Sequence, residues 1–193
     1  KYESEKTILI IGGAGGVGSM AIQLANKLAK LKIIATASRP ETKKWCQKLG
    51  AHHVINHLKD IPKQLKQIGF DTVDYALIFN NTDKNYPSAA KVIAPEGKIC
   101  SIVENQSPLN LELLKSKSAS FHWEFVFTRP LFKVTDMVKQ HHLLNEISRL
   151  IDAATIKTTA NKIMSPINIE NLREAHATLE KGRTIGKIVL KDW

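Results

Sequence analysis

The chain has 193 residues, 43% hydrophobic and 24% charged, with a formal net charge of +10. That is ordinary globular usage, which excludes a disordered, collagen-like or coiled-coil chain and leaves room for one generous domain or two small ones. No run approaches the ~18 apolar residues of a membrane span, and two cysteines, Cys46 and Cys100, are too few for a disulfide scaffold or a paired-cysteine zinc site, so a cytoplasmic setting is expected.

Thr7 to Ile11 is a short β-branched run closed by Gly12-Gly13 and predicts a buried strand. Val17, Ala21, Leu24, Leu28 and Leu31 then recur at helical spacing, predicting a helix to about Lys30. Lys32 to Ala37 is a second strand, so the first forty residues or so spell a βαβ unit. The alternation continues with a helix from Pro40 to Leu49, a strand over His52 to Asn56, a helix from Asp60 to Gly69 and a strand from Val73 to Phe79. Ser88 to Ile93 lies in a helix that stops before Pro95-Glu96-Gly97, and Lys98 to Glu104 is a strand. Such alternation predicts an α/β fold, a doubly wound parallel sheet of the Rossmann type with helices on both faces.

From Pro108 the pattern changes. A short helical piece covers Leu109 to Lys115, and the aromatic run Ser120 to Phe127 predicts a strand at a sheet edge, where an exposed apolar edge seeks a second subunit. Thr135 to Ala154 reads as a long amphipathic helix. A strand (Lys157 to Met164), a helix (Asn168 to Lys181) and a closing strand (Ile185 to Leu190) form a separate small layer.

Gly13, Gly15 and Gly18 match the G-x-G-x-x-G fingerprint in its proper context, after a strand and opening a helix. The free N–H groups of Gly15, Gly16 and Val17 would then meet a dinucleotide's pyrophosphate. A glycine turn kept only for packing is the plainer alternative. The fingerprint's acidic residue, about twenty positions on, selects NAD; here the second strand ends Thr36-Ala37-Ser38-Arg39-Pro40, without a carboxylate. Arg39, with Lys43 or Lys44 one turn onward, suits the 2′-phosphate of NADPH. Against this, Ser38-x-x-Glu41 spells a capping box and Arg39 could be a solvated residue. Residues 1–50 carry 9 basic and 3 acidic side chains, so most of the excess charge surrounds this turn. Scattered aromatics do not support a nucleic-acid reader.

His57 follows the third strand, where an adenine ribose would lie, or is simply an exposed loop histidine. His142 and Glu146 are spaced as a surface pair, and no metal site is expected. Tyr86 to Lys91 is one residue too long for a Tyr-Lys reductase pair and Tyr2-x-x-x-Lys6 precedes the first strand, so a short-chain reductase mechanism is disfavoured. Both cysteines read as packing residues.

The stretches Ile11 to Ala25, Ala35 to Thr42, Leu49 to Asn56 and Gly97 to Ile102 together resemble the medium-chain dehydrogenase/reductase superfamily. The nearest branch is the quinone oxidoreductases related to ζ-crystallin, including proteins labelled zinc-type alcohol dehydrogenase-like, which Trp123 to Arg129 and Ser165 to His176 resemble. The resemblance implies hydride transfer from NADPH to a quinone, enone or other activated acceptor without catalytic zinc. It also implies a homodimer formed through the edge strand at residues 120–127, with no nucleic-acid or membrane partner. It places Gly15, Gly16 and Val17 on the pyrophosphate and Ser38, Arg39 and Lys43 on the 2′-phosphate. Asn80 and Val103 fall along the ribose and nicotinamide. Family members begin with a largely β catalytic domain. Residues 1–154 are therefore expected to be the NADP-binding domain and residues 155–193 a segment returning to a catalytic domain outside this sequence, leaving the fragment without catalytic residues of its own and inactive alone. A stand-alone nucleotide sensor is the alternative.

Overall fold

All five residues of the first strand are buried, because a strand in the middle of a parallel sheet has helices on both faces and no solvent side. The computed structural model describes residues 6–193; Tyr2 lies outside them. Side chains of β1 (Thr7–Ile11) alternate between two cores. Ile8 and Ile10 pack with Ile22, Ile33 and Cys46, whereas Leu9 and Ile11 pack with Leu65, Ile78, Tyr86 and Ile99. The first core lies under α1 (Gly16–Lys27) and α2 (Pro40–Lys48), the second under α3 (Ile61–Gln67) and α4 (Thr82–Val92). Each large side chain so buried is worth about 1.5–3 kcal/mol relative to exposure.

The sheet is completed by β2 (Lys32–Thr36), β3 (His53–Ile55), β4 (Val73–Ile78), β5 (Ile93–Ser101) and β6 (Ser120–Trp123). Its order is β3-β2-β1-β4-β5-β6 with every pair parallel, the Rossmann arrangement expected. The order reverses between β1 and β4, so the loops leaving β1, β2 and β4 open a crevice at their carboxyl ends.

Several boundaries differ from the sequence reading. Helix α4 begins at Thr82 rather than deeper in the segment, since Asn81, at φ 44°, caps it by accepting from the Lys84 N–H at 3.0 Å. Pro87, which cannot donate, sits inside that helix and obscures its start in the sequence. Ile93 opposes Val73 and Lys98 opposes Tyr75, so Pro95, Glu96 and Gly97 bulge out of β5 instead of preceding it. Strand β6 stops at Trp123, short of Phe127, because its neighbour β5 ends at Ser101; the Glu124 N–H takes the last carbonyl, that of Ser101, at 3.0 Å. Two single turns, α5 (Glu112–Lys115) and α6 (Thr128–Leu131), flank β6, and the long helix, α7 (Val138–Asp152), starts three residues later than expected.

The remaining elements, β7 (Ala160–Met164), α8 (Ile169–Glu180) and β8 (Lys187–Leu190), form a parallel two-stranded layer with a helical crossover. Gln23 ties this layer to α1. Its side chain is almost fully buried and closes a pair of bonds with one backbone residue: Nε2 donates to the Lys157 carbonyl at 3.0 Å and Oε1 accepts the Lys157 N–H at 2.7 Å. Trp45 Nε1 donates to Ser19 Oγ at 2.8 Å beside it, and the Trp45 ring packs against Gly186.

Gln23→Leu keeps the volume and removes both bonds to Lys157, at about 0.5–1.5 kcal/mol for each hydrogen bond lost. The urea midpoint is expected to fall, with faster proteolysis of residues beyond 155; an unchanged midpoint would count against the clamp.

Candidate nucleotide-binding site

The crevice at the switch point is built on backbone rather than side chains. Gly12, at φ +90°, turns the chain out of β1, and Thr36 at the tip of β2 holds the turn by accepting the Gly12 N–H on its hydroxyl (3.1 Å) and the Gly13 N–H on its carbonyl (3.2 Å). Helix α1 then crosses so close that a Cβ on Gly18 would sit 2.2 Å from the Gly12 carbonyl oxygen. Gly15 caps α1 without a side chain, and the helix has no acidic residue in its first turn. The N–H groups of Val17 and Gly18 therefore meet no acceptor among the described residues, that of Gly16 faces Gly186 across a parallel bridge, and the positive end of the helix carries no compensating acidic side chain. The Gly15 N–H is different, being spent on the Gly12 carbonyl at 3.2 Å.

Gly12, Ala14, Gly15 and Gly16 line a cleft of about 430 Å³ beside this helix start. One end is formed by Ser38 and Arg39 and the inner wall by His57, Phe79 and Asn80. The C-terminal layer adds Gly182, Thr184 and Lys187 to the lining. Gly186 is bridged to Gly15, its N–H donating to the Ala14 carbonyl at 2.9 Å. The Lys187 stem lies over Gly16, with Cε 2.3 Å from where a Cβ would be. Its ammonium thereby stands beside the start of α1. Sequence reasoning missed Lys187 because it lies far from the glycines in sequence and occupies a strand with no motif of its own.

Of the residues expected at the site, Gly15, Gly16, Ser38, Arg39, His57 and Asn80 line this cleft. Lys43 lines an adjoining one of about 450 Å³ with Arg39, Val54, Gln64 and Ile68. Val17 lines neither cleft and is 45% exposed. Val103 lines neither; its carbonyl accepts from the Thr82 hydroxyl beyond the end of β5, which stops at Ser101 rather than Glu104. The Ser38 capping box does not form. Arg39 occupies the N-cap position, and Thr42 accepts its N–H at 3.1 Å. Arg39 itself spans two partners, with Nη2 donating to the Arg183 carbonyl at 2.8 Å and Nη1 3.2 Å from Glu41 Oε1.

His57 Nδ1 is buried without a hydrogen-bond partner, and desolvation, assisted by the Lys84 charge, holds the ring below its usual 6.5. Cys46 is fully buried, which pushes its thiol up to about 12 and fits a packing role. Free backbone donors, a lysine and an arginine converging on one groove suit a phosphate-rich ligand, and the residues present fit a dinucleotide.

Residues 49–190 match the model of a family described as zinc-binding dehydrogenase. The chain belongs to that family. A zinc-type alcohol dehydrogenase-like protein of Staphylococcus aureus (strain MSSA476) is 42% identical over 185 residues, covering 96% of this chain and 55% of its own length. The crystal structure of a putative zinc-dependent alcohol dehydrogenase from Rhizobium etli CFN 42 superposes with a TM-score of 0.91 at 44% identity, over 97% of this chain and 54% of that one. An NAD-dependent alcohol dehydrogenase of Saccharolobus solfataricus is 27% identical over 187 residues, 96% of this chain and 50% of its own. The chain thus spans about half the length of the relatives it matches. The family's zinc finds no ligand set in this stretch: among the described residues no three His, Cys, Asp or Glu side chains are placed to hold a metal ion. Nor is any described helix long and apolar enough to cross a membrane.

Gly18→Ala forces α1 off the turn and is expected to cost about 1–3 kcal/mol or more, read as a lower urea midpoint. For His57 the folded state disfavours the proton, so the unfolded state takes up more protons in acid. Its contribution to stability is complete above the usual histidine value and is lost as pH falls below it. Urea midpoints should drop between about pH 7.5 and pH 5.5, and His57→Gln should reduce that drop.

Proposed function

We propose that the cleft binds NADPH and that the chain is the cofactor-binding part of an oxidoreductase that reduces a quinone, an activated alkene or a carbonyl. The observation that carries the reading is the tip of β2, where Ser38 and Arg39 line the cleft and no carboxylate occupies the position that reads a ribose 2′-hydroxyl. Arg39 can turn from the Arg183 carbonyl to a 2′-phosphate, a charge-assisted contact, with Lys43 in the adjoining cleft. The N–H groups of Gly16 and Val17 at the start of α1 and the Lys187 ammonium would hold the pyrophosphate. Ser38 would add a hydroxyl at the phosphate end, and His57 and Asn80 would lie along the ribose and nicotinamide half. The bound nicotinamide supplies the hydride.

What this chain contributes is orientation. The glycine turn excludes side chains from the phosphate path, and the C-terminal layer adds to the groove's lining. Quinone or enone as acceptor follows from the resemblance to the ζ-crystallin branch; the archaeal relative is NAD-dependent and an alcohol dehydrogenase by name. We place the catalytic side chains in a further domain, to which residues 155–193 return. Ile163 is 59% exposed on β7, as an apolar strand awaiting cover would be. The free edge of β6, flanked by exposed Trp123, Phe125 and Phe127, suits pairing with a second copy of the chain.

NADPH is expected to bind more tightly than NADH when both are titrated by fluorescence. Arg39→Ala should weaken NADPH about 10- to 100-fold, the value of a hydrogen bond to a charged group, with little effect on NADH. Equal affinities in the unaltered protein would overturn the NADPH assignment.

A further inference from the structure

Glu41, in the first turn of α2, stands beside the proposed phosphate site. The sequence offers it as the partner of Ser38 in a capping box, but that box does not form, and Thr42 takes the Arg39 N–H instead. The Glu41 carboxylate turns back onto Arg39, Oε1 lying 3.2 Å from Nη1, with the two side chains 53% and 29% exposed. On its other side the guanidinium donates to the Arg183 carbonyl. Both terminal nitrogens are thus engaged, one by a full negative charge.

A 2′-phosphate reaching Arg39 must come within a few ångströms of that carboxylate and share the guanidinium with it. A ribose 2′-hydroxyl carries no charge and meets no such repulsion. We infer that Glu41 is a specificity-determining residue of the cofactor cleft, competing with the 2′-phosphate for Arg39 and thereby moderating the preference for NADPH over NADH. This rests on the reading that Arg39 receives the 2′-phosphate. Because the pair is half in water, the effect is modest, about threefold to tenfold in affinity. Stabilising the start of α2, which any carboxylate in a first helical turn does, would leave the ratio of the two cofactors unmoved.

The test compares dissociation constants of NADPH and NADH, and of the fragments 2′,5′-ADP and 5′-AMP, for the unaltered protein, Glu41→Gln and Arg39→Ala. Glu41→Gln should tighten NADPH and 2′,5′-ADP about threefold to tenfold and leave NADH and 5′-AMP within about twofold. An unchanged ratio, or equal loss of both cofactors, overturns the inference. The two readings fail separately. If Arg39→Ala weakens NADPH while Glu41→Gln leaves the ratio alone, only the role of Glu41 falls; if Arg39→Ala leaves NADPH binding intact, the phosphate assignment falls and Glu41 falls with it.

Discussion

The near-contact between α1 and the turn that follows β1 governs the rest of the molecule. At Gly18 there is no room for a single methyl group against the Gly12 carbonyl, so the helix axis is held against the strand it follows. That proximity places Ile22 in the core shared with Ile8 and Ile10 and brings the helix N-terminus to the carboxyl edge of the sheet. It also removes side chains from the place where the N–H groups at the start of α1 face outward. Close packing and the exposure of those N–H groups are here two results of one steric constraint.

A second layer of control comes from the far end of the chain. Gln23, in the middle of α1, grips the backbone of Lys157, and Gly186 lies against Ala14 and Gly15 at the start of the same helix. Two attachments to one rigid element set where residues 182–187 run. They make Lys187 and the Arg183 carbonyl part of a groove otherwise built from the first eighty residues or so. The basic character of that groove is therefore assembled from both ends of the chain, with Arg39 spanning them.

Electrostatics in the groove are balanced rather than uniformly positive. Arg39 is engaged by Glu41 and by a carbonyl, and burial and the Lys84 charge hold the His57 pKa below its usual value. On the proposed reading, a phosphate entering this site would exchange existing contacts for new ones, which would favour graded discrimination between cofactors over all-or-none selection.

Much of this architecture was legible in the residues themselves. Continuous β-branched runs such as Thr7 to Ile11 can be satisfied only by a strand buried on both faces, and the glycine spacing after it admits little but a tight turn into a helix. Arg39 and the absence of a carboxylate at the tip of β2 were visible for the same reason, as consequences of local order. What the chain could not disclose by itself was long-range. Where β6 ends depends on where β5 ends; the capping pair of α2, Arg39 with Thr42 in place of Ser38 with Glu41, is a local exception. Lys187 reaches Gly16 only because Gln23 and Gly186 fasten one end of the chain to the other. Local sequence determined the turn and its free N–H groups, since steric limits act between neighbours; the tertiary structure alone decided which distant charges surround them, since those positions follow from packing between segments remote along the chain.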